Sequence, residues 1–405
     1  MENTIFFGKR RHYEPPGVRW NKASVKKSIQ TIGADVIAMA ESGEKWPKHK
    51  WDQSGQIKSD FYFGKGGSLW AVDYLQRRNV IKNKFDISAH LEPLIADNRK
   101  LRHRQAHPEN ASYLFGEMPL LLMKYRCNPD PELADEIAAA IQENDNQPVR
   151  ELMWGLAGSM LVALFMHEWT QESRWEKLYR KQVKKMLADW QKVPGAGYLW
   201  NIDLYGGKNY LLGAVHGFSG NAFSLISGFH LLSETEVKRI TKRVMEVVVN
   251  TADQDERYAN WWPGLNSDRS KKNAHPLLHF CHGAPGMIIP LAQLPSSVNT
   301  EFDELLLKGG ELIWDAGLLE KGPNLCHGTS GNGYAFLKLY ERTGDELWLK
   351  RARSYAMQAI KQIEEVQDLT KQTRRYPLWT GDPGVAIYLL DCLENTCSFP
   401  TLDVF

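Results

Sequence analysis

The chain carries the tripeptide Cys-His-Gly twice, at Cys281-His282-Gly283 and at Cys326-His327-Gly328, each followed by a second glycine, Gly286 or Gly331, and an apolar run. Cysteine is scarce, five in 405 residues, so two in one frame mark a motif. Thiolate sulfur and imidazole nitrogen are good zinc ligands. Neighbouring side chains on a regular helix point about 100° apart, but in a turn entering a helix they can converge on one ion. Cys281, Cys326 and either His327 or His282 would supply three protein ligands and leave the fourth tetrahedral position open, the pattern of a catalytic zinc. The competing reading is two buried thiols acting as small apolar residues. His216 stands in the same frame, directly before Gly217, and is a candidate acid or base. Glu151, four residues before Gly155, is a candidate to orient that imidazole; a solvated carboxylate is the competing reading. Asp382 lies within its own glycine pair and suits a turn. Cys127, Cys392 and Cys397 have no such frame and read as structural.

Residues 45 apart can share an ion only if a repeat brings them together. Gly-x-x-Gly before an apolar run recurs at 64–67, 155–158, 217–220, 283–286, 328–331 and 381–384, with a degenerate copy at Gly116-Glu117-Met118-Pro119. Between the copies lie amphipathic stretches, roughly 25–42, 84–101, 131–145, 172–191, 234–252, 300–316 and 345–366. In the last, Trp348, Ala352, Tyr355, Ala359, Ile363 and Val366 fall on one helical face. Strand signals are weak. Helices that are apolar nearly all round must be buried on several sides. Seven of them inside seven amphipathic ones predict an all-α fold, an α/α toroid of seven inner and seven outer helices, in one domain over residues 1–405. The glycines are expected to allow a tight turn with positive φ and a close backbone approach. All seven turns then meet at one end of the barrel. Residues 193–214, rich in Gly, Trp and Tyr, read as a loop or small strand insert near that mouth.

Composition narrows the function. Fifty Lys and Arg against 48 Asp and Glu, with no long run of like charge, give no electrostatic case for nucleic acid. No stretch of about 18 apolar residues predicts a membrane span, and the N-terminus lacks a signal-peptide pattern. Few cysteines, odd in number, point to a reducing compartment. A cytoplasmic location is expected.

The blocks Cys281-His282-Gly283-Ala284-Pro285-Gly286, Lys321 to Asn332 and His216-Gly217-Phe218-Ser219-Gly220, with all seven glycine turns, resemble the lanthionine synthetase C family, especially its LanC-like branch. The resemblance implies a double-layered α/α barrel and zinc held by Cys281, Cys326 and His327, which selects His327 over His282. It implies addition of a thiol to a dehydroamino acid: a peptide cysteine in the lanthipeptide cyclases, glutathione in LanC-like proteins, with dehydroalanine or dehydrobutyrine in a peptide or protein as acceptor. Lys321 matches a glutathione-contacting lysine, and His282, beside the ligand cysteine, is a further substrate-binding candidate. His216 would protonate the adduct, with Glu151 orienting it. The chain departs from the cyclases at Leu277, where they carry Arg, at Phe280, where they carry Trp, at His282, where they carry Tyr, and at Glu151, where they carry Asp. These departures favour the LanC-like activity over ring closure. A non-catalytic glutathione or small-ligand sensor is the alternative from another class.

Overall fold

The computed structural model describes residues 6–14, 17–51, 58–82, 84–104, 112–204, 207–270, 274–295, 300–372 and 374–405. Fourteen α-helices alternate between two layers among these residues. The inner ones are α2 (Lys65–Arg77), α4 (Met118–Cys127), α6 (Leu156–Thr170), α8 (Phe218–Ile226), α10 (Ala284–Leu291), α12 (Thr329–Thr343) and α14 (Asp382–Glu394). The outer ones are α1 (Lys22–Glu41), α3 (Ser88–Arg104), α5 (Pro131–Asn144), α7 (Ser173–Ala188), α9 (Glu234–Thr251), α11 (Thr300–Ala316) and α13 (Glu346–Thr370). Each inner helix touches the next, and α14 touches α2, so the ring closes. The outer helices pack against this ring, α1 lying across α14 and α2. The predicted α/α toroid is therefore the observed fold.

The layers start differently. Four outer helices begin on side-chain caps: Asn21 accepts from the amides of Ala23 and Ser24, Asp130 from Glu132, Asp345 from Leu347, and Ser233 with Glu236 forms a capping box. Six of the inner helices have glycine at the N-cap and no such cap. Of the two reasons expected for these glycines, close backbone approach is observed, while positive φ is not the reason for most of them. Among the seven first glycines only Gly283 has it, at +78°. At Gly64, Gly155, Gly217, Gly328 and Gly381 a Cβ would strike backbone, as at Gly155, 2.1 Å from the Val149 carbonyl oxygen. Close approach of the turn to its own helix fixes the glycine.

The interior is rich in aromatic side chains. Trp70, Tyr334, Tyr388 and Trp379 are fully buried. The C-terminal segment fills the ring's centre: Phe399 stacks on Phe280 at 4.5 Å, and Phe405 stacks on Phe61 and touches Trp70, Phe165 and Trp169. Short strands are confined to connections. β1 (His12–Tyr13) pairs with β8 (Leu318–Leu319), β2 (Gln191–Val193) with β3 (Gly197–Leu199), β4 (Ile202–Leu204) with β5 (Gly207–Asn209), and β6 (Asp253–Gln254) with β7 (Ala259–Asn260), all antiparallel. The insert expected at 193–214 thus holds small strands. It reaches the mouth, where Gly213 lies against the turn of Cys281 and His282. No described helix is long and apolar enough to cross a membrane. Cys392 and Cys397 are buried, whereas Cys127 is exposed at the end of α4.

Candidate metal centre

The turns before α10 and α12 bring the two Cys-His-Gly copies together. Cys281 Sγ lies 2.7 Å from Cys326 Sγ, and Cys326 Sγ lies 3.7 Å from His327 Nε2. Both thiols are free and buried. The Tyr62 hydroxyl, from the turn before α2, sits 2.8 Å from Cys326 Sγ. The sulfurs are farther apart than a disulfide bond yet close enough to share one proton. Burial, together with the Cys326 sulfur beside it, pushes the Cys281 thiol well above the ordinary range. Burial opposes ionisation of Cys326 too, but the Cys281 thiol, the charge of His327 and the Tyr62 hydroxyl outweigh it and hold Cys326 well below that range.

A second histidine joins the cluster. The ligand atoms of His279, Cys281 and His327 all lie within 4.8 Å of one another. The ring of His279 meets that of His327 edge-on at 4.8 Å and that of His282 at 5.7 Å. Burial, reinforced by His327, His282 and Lys321, pushes His279 well below the usual imidazole range. Burial and the charges of His216, His327 and Lys321 bring His282 down to about 3. Both are neutral at pH 7. The Nδ1 atoms of His279 and His282 are buried with no hydrogen-bond partner, an expensive state for a polar atom. Two thiol sulfurs, neutral imidazoles and orphaned nitrogens are a donor set suited to zinc. The S···N separation is near the roughly 3.5 Å between a sulfur and a nitrogen ligand of one tetrahedral zinc, whereas the sulfurs, at 2.7 Å, stand closer than the roughly 3.8 Å two thiolate ligands would keep.

His216 and Glu151 also meet. His216 Nδ1 is 2.8 Å from Glu151 Oε2. The Glu151 carboxylate is buried and accepts from the amides of Met153, Trp154 and Gly155, at the start of α6. A carboxylate oxygen accepts, so the His216 proton on that side sits on Nδ1. Lys321 is exposed in the loop before Cys326. It is close enough for its charge to act on Cys281, His279 and His282. Asp382 is buried and accepts from Arg374 at 3.1 Å, an ion pair rather than a lone turn residue.

A device shared by four turns had no visible signal in the sequence. The amide of the residue just before the first glycine is held by the side chain three residues earlier. Asp60 holds Phe63 at 2.7 Å, Ser112 holds Phe115 at 3.1 Å, Asn324 holds His327 at 2.9 Å, and Glu151 holds Trp154. His279 was also missed. It lies two residues before Cys281, where the second copy has Asn324, so the comparison of the two copies hides it.

Known proteins resemble this chain along most of its length. It is 28% identical over 266 residues to a protein named glutathione S-transferase LANCL1 from Danio rerio, covering 63% of this chain and 62% of that protein. It is 29% identical over 284 residues to LanC-like protein GCL1 of Arabidopsis thaliana, covering 67% and 62%. The matched segment thus spans under two thirds of either relative. Among solved structures, nisin cyclase shares the fold, with a TM-score of 0.63 at 13% identity over 92% of this chain and 95% of that one. The model of the family described as lanthionine synthetase C-like protein matches residues 38–404, nearly the whole barrel, and the chain belongs to that family.

Proposed function

We propose that this protein catalyses zinc-dependent addition of glutathione to dehydroalanine or dehydrobutyrine residues of peptides or proteins, in a reducing compartment such as the cytoplasm. The convergence of Cys281, Cys326 and His327 at the mouth carries the reading. These three would hold the ion, and His279 offers a fourth donor in the same cluster. Zinc, when bound, supplies the positive charge that lets a substrate thiol lose its proton at neutral pH, where a free thiol is only a few per cent ionised.

The remaining chemistry falls to the chain's own residues. Lys321 and His282 flank the entrance and bind the anionic tripeptide. The glutathione sulfur forms a bond to the β-carbon of the acceptor, and the C=C electron pair moves onto the α-carbon and its amide oxygen. His216, as the imidazolium that Glu151 stabilises, donates its Nε2 proton to the α-carbon. Such a general-acid step is worth about 10²–10⁴-fold. Glu151 keeps the imidazole in the tautomer and orientation that serve the next turnover, and stabilises its protonated form. The proton lost by the thiol restores His216 through solvent, so the net change is addition of S–H across the double bond.

The test is mass spectrometry of a dehydroalanine-containing peptide incubated with zinc-loaded protein and glutathione. A mass gain of one glutathione that depends on the protein and vanishes with chelation supports the reading. Retention of one glutathione per chain without any peptide adduct identifies a sensor and overturns it.

A further inference from the structure

The residue directly before the first glycine occupies one equivalent position in all seven repeats: Phe63, Phe115, Trp154, His216, His282, His327 and Thr380. Six of these are half-buried and Thr380 is buried. Most of their neighbours in the turns are buried, so this position is where each turn meets the mouth. The same i−3 side-chain hydrogen bond that sets His327 at the metal cluster also sets Phe63, Phe115 and Trp154. The rim therefore has two halves. One carries three imidazoles and, beside them, the charge of Lys321. The other carries three aromatic rings packed together: Phe115 stacks on Trp154 at 4.2 Å, and Phe63 meets Phe115 at 6.1 Å. Tyr62 ties that half to the metal cluster. Its ring lies 4.4 Å from Phe63 and 5.4 Å from Phe115, and its hydroxyl is on Cys326 Sγ.

We propose that Phe63, Phe115 and Trp154 form a specificity subsite that takes an aromatic or bulky apolar side chain of the acceptor peptide, adjacent to the residue that receives the thiol. The acceptor as occupant rests on the thiol-addition reading. Charge assigns the halves: an anionic, hydrophilic thiol donor belongs on the imidazole and lysine side, and uncharged ring faces suit the apolar part of the second substrate. Aromatic pairing adds to plain area burial, and removing one ring from such a pair weakens affinity about tenfold.

The test measures binding without chemistry. Two dye-labelled peptides, alike except for Phe or Gly beside the central residue, carry alanine in place of dehydroalanine, and their affinities for zinc-loaded protein are read by fluorescence anisotropy. The Phe peptide should bind about tenfold more tightly. That preference should fall to near unity in Trp154→Ala and in Phe115→Ala, return in Trp154→Phe, and leave zinc content unchanged throughout. Equal binding of the two peptides to the unaltered protein, or a preference that survives both alanine variants, overturns the subsite. So does self-association of the protein that Trp154→Ala abolishes, because the rings would then be covered by a second copy. Absence of glutathione transfer would sink the reaction while leaving this comparison decisive.

Discussion

At the scale of single residues, the best-defined chemistry is the contact of His216 with Glu151. Glu151 has two tasks: it braces the turn before α6 through three amides and it holds His216 Nδ1. A glutamate in place of the shorter aspartate can meet both. His216→Asn removes the proton donor but no candidate ligand. Zinc content by metal analysis should stay at that of the unaltered chain while turnover falls about 10²-fold or more; an unchanged rate would remove His216 from the acid role. Glu151→Gln keeps the shape but can present an amide N–H to Nδ1, allowing the wrong tautomer. Turnover should drop with little change in KM for glutathione, because the carboxylate acts through the imidazole and not on the thiol. The pair was legible from the sequence only as two positions in related frames. The hydrogen bond between them depends on how far apart the turns before α6 and α8 stand.

At the scale of elements, the turn before each inner helix is the working part, and glycine was its visible sign. The glycine frame and the amphipathic spacing predicted the inner and outer helices to within a few residues. Of the two reasons expected for the glycines, close backbone approach is observed and positive φ holds only at Gly283. Sequence shows that a glycine stands at a position, but a positive φ and a crowded carbonyl demand the same residue. The i−3 brace stayed hidden because Asp60, Ser112, Glu151 and Asn324 share only a hydrogen-bond acceptor. Crowding has a direct consequence at Gly213, on the insert that meets the first ligand turn. A Cβ there would lie 1.9 Å from the Cys281 carbonyl oxygen and 2.8 Å from His282 Nδ1. Gly213→Ala should displace that turn, lower the bound zinc and cost about 1–3 kcal/mol in chemical denaturation. Gly207→Ala, in the same insert with nothing within 4 Å of its added methyl, should change stability by no more than about 0.5 kcal/mol. Equal effects of the two would show that the insert does not support the ligand turn.

At the scale of the whole molecule, the ring closes around a buried aromatic core, and the end away from the mouth holds its own buried ionisable groups. Asp391, near the end of α14, accepts from the Tyr334 hydroxyl at 2.8 Å and the Thr396 hydroxyl at 2.5 Å. Burial still dominates those bonds and raises its carboxyl to about 7. The sign of the effect follows from linkage. Below about pH 4 the group is protonated in both the folded and unfolded chain and contributes nothing. Between about pH 4 and 7 the folded chain keeps a proton that the unfolded chain has lost, so stability falls as pH rises. Above pH 7 the full cost stands, roughly 4 kcal/mol for that displacement. Asp391→Asn removes the titration and keeps an acceptor for Tyr334. Its stability relative to the unaltered protein, from urea unfolding at matched zinc, should therefore be lowest at pH 4.5 and climb by a few kcal/mol toward pH 8. Comparing the two proteins at each pH cancels the titrations they share, including those of the buried histidines at the mouth. A difference that stays flat from pH 4.5 to 8 would mean that Asp391 is ionised in the fold and that its two hydroxyl donors outweigh its burial.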